Sequence, residues 1–235
     1  MKITLLTGQT FDFSSYFGFE IKVVRSGKAK RLTLRIDEKN KCPVVTLPKY
    51  CSKKQALEFL QNNQDWMVNM LARLPSEKKF SNGEEFCFWG EKYVVLHEVG
   101  YKGAKFENGF LKIGGDKTFL HRRVCDFIKE KALKKLAEET VKKAKNIGCK
   151  VCGVAIKDTK SRWGSCSSLG NINYNWRIVL APKFVIEYLI CHEVCHLKHQ
   201  NHSKDFWQEL ENMCKNFEDG RHWLKVRGKE LYKYV

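Results

Sequence analysis

The chain has 235 residues, of which 43% are hydrophobic and 29% charged, with a formal net charge of +17. That length and apolar content can bury the core of one large or two small domains, which excludes a disordered or collagen-like chain. Ten cysteines accompany an N-terminus without an apolar leader, and no apolar run reaches membrane-spanning length. This predicts a cytoplasmic protein with reduced thiols and no membrane partner, rather than a disulfide-stapled secreted one.

In chain order, the first 115 residues read as mainly β. Residues 22–24 and 31–37 are expected as two strands joined by a turn at Ser26-Gly27, with a third strand at 44–47 ended by Pro48. Ser52 is placed to cap one helix running to about Leu74, where Pro75 stops it. Leu57, Leu60, Met67, Met70, Leu71 and Leu74 form its core face. Short strands follow at 85–89, 92–98, 105–107 and 110–113, separated by glycines. No catalytic side chains cluster here, so 1–115 is expected to be a β-rich N-terminal accessory domain.

Gly114-Gly115 marks the expected boundary to a second domain, 116–235. Asp116 can cap a long helix reaching Asn146, with Gly148 as the stop. A strand at 151–157 precedes a second at 171–179, where Ile172, Tyr174, Trp176 and Ile178 alternate onto one side. That strand feeds a largely apolar helix over 182–199, opened by Pro182, and Ser203 caps another helix after it. Strands followed by helices in this order predict an α+β fold.

The positive charge invites nucleotide or nucleic-acid partners. Most of it is lysine spread along the chain. The densest cluster is Arg25, Lys28, Lys30, Arg31 and Arg35, with Arg31 and Arg35 on the outer face of a strand. No zinc-finger or helix-turn-helix pattern accompanies it. Cys149-Lys-Val-Cys152 lacks the second pair that a structural zinc site requires. Cys191 and Cys195 lie off the ligand face of their helix and read as packing residues.

Residues 192–202 carry the chemistry: His-Glu-Val-Cys-His-Leu-Lys-His-Gln-Asn-His. On a helix His192 and His196 lie one turn apart on one face, so both imidazoles can reach one zinc ion. Glu193 then sits where it can take a proton from an attacking water. Two histidines and a glutamate on a buried helix without partners would be costly, and a metal offsets that cost. His199 and His202 are the alternatives for a third ligand. Tetrahedral coordination favours His202, because a chain that turns at Gln200-Asn201 brings a ligand back from another direction.

The segment 161–168 (Ser-Arg-Trp-Gly-Ser-Cys-Ser-Ser) is the other candidate. Arg162, Trp163 and Ser165 are expected to line a cleft and hold an extended peptide by strand addition; a simple tight turn is the alternative. Arg162 and His222, and less so Tyr174, are the groups available to stabilise an oxyanion. No Gly-x-Ser-x-Gly elbow or phosphate-binding loop is present.

Together, 161–168, the stretch Gly170-Asn-Ile-Asn-Tyr-Asn-Trp-Arg177, His192–His196, Asn201-His202-Ser203 and Phe206-Trp207 resemble the YgjP-like, SprT-related zinc metallopeptidase family over nearly the whole chain. Residues 25–36 resemble that family's opening strand pair. The resemblance implies a zincin-like catalytic domain, His192, His196 and His202 as zinc ligands, Glu193 as the catalytic carboxylate, and a protein or peptide substrate. It also places 161–168 near the active site. His222 departs from the arginine-rich terminal stretch of the relatives. Two further readings keep the metal: hydrolysis of a nucleotide phosphoanhydride, and a protease recruited to DNA, by analogy with SprT-related repair proteases.

Overall fold

The computed structural model describes residues 11–37, 40–72, 74 and 78–234. The chain forms two compact units, Met1–Leu74 and Pro75–Val235. Both mix helices with sheet, as the α+β expectation has it.

In the first unit a short helix α1 (Ser14–Phe17) precedes three strands, β1 (Lys22–Ser26), β2 (Thr33–Asp37) and β3 (Cys42–Pro48). The sheet order is β1-β3-β2, with β1 parallel and β2 antiparallel to β3. The expected pairing of the first two strands across Ser26-Gly27 therefore does not form. Apolarity explains why: Cys42, Val44, Val45 and Leu47 bury both faces of β3, so it takes the centre. The charged strands β1 and β2 take the edges. Arg25, one of the clustered cations, donates from Nη1 to the carbonyls of Lys49 (2.7 Å) and Cys51 (3.2 Å), closing the end of β3.

Ser52 caps α2 (Lys53–Asn62) in a capping box with Gln55, as expected. The single helix to Leu74 is instead two, with α3 (Gln64–Ala72) following. The break is at Asn63, whose side-chain amide donates to the Phe59 carbonyl at 2.8 Å and competes with helix propagation. Val45, Leu47, Ala56, Leu60 and Met67 form this unit's core.

The second unit begins with strands β4 (Glu85–Phe88), β5 (Glu91–His97), β6 (Ala104–Glu107) and β7 (Phe110–Ile113), in the order β4-β5-β7-β6. The boundary expected at 115/116 falls at 74/75, because this sheet has no core of its own. Phe86, Phe88, Val95, Leu111 and Ile113 share one apolar cluster with Val124, Ile128 and Leu136 of the long helix α4 (Leu120–Asn146). The Gly114-Gly115 pair is tight packing rather than linker. A Cβ on Gly114 would strike the Tyr101 carbonyl, and one on Gly115 would lie 2.7 Å from the Arg123 guanidinium.

A second sheet orders β8 (Gly153–Lys157), β10 (Asn171–Asn175) and β9 (Gly164–Cys166) as β8-β10-β9, with β9 antiparallel at the edge. The expected strand to 179 stops at Asn175, whose side chain accepts from the Arg177 amide (3.0 Å) and starts a 3-10 turn, Trp176–Leu180. Three helices follow: α5 (Lys183–Cys195), α6 (Lys204–Met213) and α7 (Phe217–Arg227). Helix α5 is buried among α4, α7 and β9. No helix among the described residues is long and apolar enough to cross a membrane.

Candidate metal centre

Helix α5 ends at Cys195, with His196 as its C-cap, four residues before the end that the sequence suggests. The chain then turns. Gln200 donates from its side chain to the His196 carbonyl (2.5 Å), and Ser203 accepts from the Phe206 amide (3.4 Å) to start α6. This turn returns His202 to the helix face. One nitrogen from each of His192, His196 and His202 lies within 4.8 Å of the others. Among the described residues they are the only group of three or more His, Cys, Asp or Glu so arranged.

His199 takes a different part. Its ring lies 3.7 Å from Glu209, away from the cluster, while its carbonyl accepts from His196 Nδ1 at 2.9 Å. That bond fixes the His196 tautomer and leaves Nε2 as the bare lone pair. Trp207 Nε1 donates to the His202 carbonyl at 3.1 Å and holds the returning turn. Phe206, fully buried, packs its ring against all three imidazoles at 4.7–5.1 Å between centroids.

The cluster fits a tetrahedral zinc ion on its own geometry. His192 Nε2 and His202 Nε2 are 3.2 Å apart. Two nitrogens on one tetrahedral zinc would lie about 3.3 Å apart. Burial, then the neighbouring His196, His202 and Arg221, push His192 down to about 3, and burial with His196 and Arg221 also lowers His202. Both rings are thus neutral and able to ligate. Glu193 Oε2 is a buried atom without a hydrogen-bond partner, a cost that water held by a bound cation would relieve; His192 Nδ1, on the side of the ring away from the cluster, is buried and without a partner too.

Glu193 is 4% exposed. Burial raises its carboxyl to about 8, opposed by the charge of Arg162. The carboxylate fits only because residue 164 is glycine: a Cβ there would lie 2.7 Å from the Glu193 carboxyl carbon and closer still to one of its oxygens. A hollow of about 330 Å³ opens beside His192 and Glu193, lined by Trp163, Gly164, Tyr188, Leu189, Leu224 and Lys225.

The other expected site residues divide. Trp163 borders this hollow, stacked on Tyr232 at 4.7 Å between centroids. Arg162 is exposed and reaches Glu193 only through its charge. Ser165 does not border it; its side chain lies on the opposite face of the sheet, in a second hollow. Tyr174 is 1% exposed and its hydroxyl is hydrogen-bonded to Thr140 Oγ1 (3.0 Å), so it is committed to the core. His222 lines a separate hollow with Phe184 and Trp223. Its neighbour Arg221 is the α7 residue whose charge reaches His192 and His202, with its guanidinium over Trp207 at 4.8 Å. Sequence reasoning missed Arg221 and Gly164. Arg221 shares a helical face with Leu224 and Lys225, which line the metal-side hollow; that periodicity was the available signal.

Three converging imidazoles beside a buried carboxylate are the equipment of a metal-dependent hydrolase. The chain belongs to the YgjP-like family: the model of the YgjP-like metallopeptidase domain matches residues 30–227. Among solved structures it is similar to the metallopeptidase zymogen abylysin of Pyrococcus abyssi, at 28% identity over 38% of this chain and 94% of that one, with a TM-score of 0.32. It is also similar to the metallopeptidase zymogen jannalysin of Methanocaldococcus jannaschii, at 27% identity over 41% and 95%, with a TM-score of 0.34. No curated protein matches the chain.

Proposed function

We propose that this metallopeptidase is a zinc enzyme of zincin-like architecture that hydrolyses peptide bonds, with Pro75–Val235 as its catalytic unit and Met1–Leu74 as an accessory one. His192, His196 and His202 hold the ion and Glu193 is the general base. The observation that carries this reading is the approach of three imidazoles, with two of their nitrogens 3.2 Å apart, beside a buried carboxylate whose Oε2 has no hydrogen-bond partner.

When bound, zinc supplies Lewis acidity at the scissile carbonyl and at the attacking water. The chain's residues do the rest. The His199 carbonyl and Trp207 orient His196 and His202. Glu193 lifts a proton from the water and passes it to the leaving amine; burial suits it to holding that proton, and a cation in the histidine cluster would favour its charged form. Arg221, whose charge reaches His192 and His202, stabilises negative charge developing on the carbonyl oxygen.

The edge strand β9 positions the substrate. The Trp163 carbonyl accepts from the Asn175 amide (2.7 Å) and the Ser167 amide donates to the Asn171 carbonyl (2.9 Å). Antiparallel alternation therefore turns the backbone groups of Gly164 and Cys166 to the free edge. An extended peptide can pair with them directly beside Glu193.

The test is to strip the protein with a chelator, restore zinc, and follow cleavage of an unstructured quenched-fluorescence peptide library beside release of pyrophosphate from nucleoside triphosphates. Zinc-dependent peptide cleavage that is lost in Glu193→Gln is the expected result. Pyrophosphate release without peptide cleavage would replace the peptidase reading with the phosphoanhydride one.

A further inference from the structure

The β8-β10-β9 sheet has two faces, and its register assigns each residue to one. Val154, Ile156, Ile172, Tyr174, Gly164 and Cys166 face α5 and the core. Lys157, Asn173, Asn175 and Ser165 face the other way, and Trp163, just before the strand, packs against the core cluster and borders both sides. That outer face carries a hollow of about 380 Å³, bounded by Lys157, Lys160, Arg162, Ser165 and Asn173 among others. Trp163 and Gly164 border both this hollow and the one at Glu193, so the two adjoin across the edge strand.

The outer hollow is electrostatically one-sided. Its lining holds three cations and no carboxylate. Among the described residues none of the three makes an ion pair with an acidic side chain. The neighbouring acid, Asp158, is paired with Arg177 at 2.5 Å. Ser161, Thr159 and Ser165 add hydroxyls.

Successive side chains of a strand point to opposite faces. A peptide added along β9 therefore sends one side chain into the metal-side hollow and the next over the outer face. β9 runs away from residues 160–163, so an antiparallel peptide carries its C-terminal half toward Lys160 and Arg162. We infer that the outer hollow is a second substrate subsite that takes an acidic side chain within three residues C-terminal to the scissile bond. This rests on the peptidase reading above.

The test uses matched peptides with Glu or Gln at each of three positions on either side of a central aliphatic pair. Binding to zinc-loaded Glu193→Gln is read by fluorescence anisotropy, and cleavage by the wild type is read by mass spectrometry. Peptides with Glu on the C-terminal side should bind about tenfold tighter than their Gln partners at low salt. That preference should vanish in Lys157→Glu/Lys160→Glu and weaken in Lys157→Gln/Lys160→Gln, a milder change that guards against a folding defect. Equal binding of Glu and Gln peptides, a preference on the N-terminal side alone, or one that survives the charge reversal would overturn the inference. Glu-selective binding with no peptide cleaved by wild type would sink the peptidase reading and leave the anionic subsite standing. Indifferent binding with efficient, unselective cleavage would do the reverse.

Discussion

The two walls of the metal centre are built in opposite ways. The wall formed by α5 and the turn after it is made of side chains at fixed spacing: His192, Glu193, His196 and His202. The wall formed by β9 is made of backbone, with a glycine where a side chain would collide with Glu193. One wall supplies reactive groups and cannot satisfy them alone; the other supplies room and a strand edge that is unpaired among the described residues. The difference teaches that a missing methyl group can matter to the site almost as much as a ligand.

Breaking the reactive wall should have the larger effect. Glu193→Gln should keep its zinc and lose about 10²- to 10⁴-fold in kcat on any cleaved peptide, measured under saturating substrate. Breaking the accommodating wall comes next. In Gly164→Ala the new Cβ lies 2.7 Å from the Glu193 carboxyl carbon, so the carboxylate must shift. Activity should fall about 10- to 100-fold with zinc content unchanged, because a general base displaced by a fraction of an ångström works poorly. Full activity in Gly164→Ala would remove the glycine from the account.

A stability measurement sharpens the same contrast. In metal-free protein the Glu193 carboxyl rises to about 8 from an ordinary value near 4.5. The native state therefore holds this proton more tightly, and the stability it contributes, full below about pH 4.5, is lost as pH rises through about 8. Glu193→Gln removes that slope. At pH 7 the metal-free variant should be more stable than metal-free wild type, on the order of 2 kcal/mol by denaturant titration, with the gap closing toward pH 5. His192, lowered to about 3, acts in the other direction: stability present above pH 6.5 is lost as pH falls toward 3, in both proteins alike. The smallest effect belongs to His222, which faces a separate hollow. His222→Ala should leave kcat/KM within about twofold, whereas a loss of about tenfold or more would return His222 to the site.

Legibility in the sequence followed the same division. The histidines and Glu193 could be read because a helix converts fixed spacing into a shared face. His202 could be favoured because tetrahedral coordination needs a ligand from a second direction. The stop of α5 at Cys195 was less visible, since the His196 carbonyl is taken by Gln200, a side-chain bond that periodicity does not encode. Ser165 joins the outer hollow rather than the metal-side one because strand alternation, not membership in the motif, decides its face. The β1–β2 pairing failed because proximity in sequence yielded to the apolarity of β3. The boundary at Gly114-Gly115 failed because two glycines required by close packing look the same, in sequence, as two glycines in a linker.

The most direct measurement is zinc content by elemental analysis of wild type, His202→Ala and His199→Ala after equilibration with limiting zinc and a competing chelator. Wild type and His199→Ala should each retain about one zinc per chain, while His202→Ala should lose it or bind more than about 100-fold more weakly. Zinc retained in His202→Ala and lost in His199→Ala would contradict the ligand set on which the account stands.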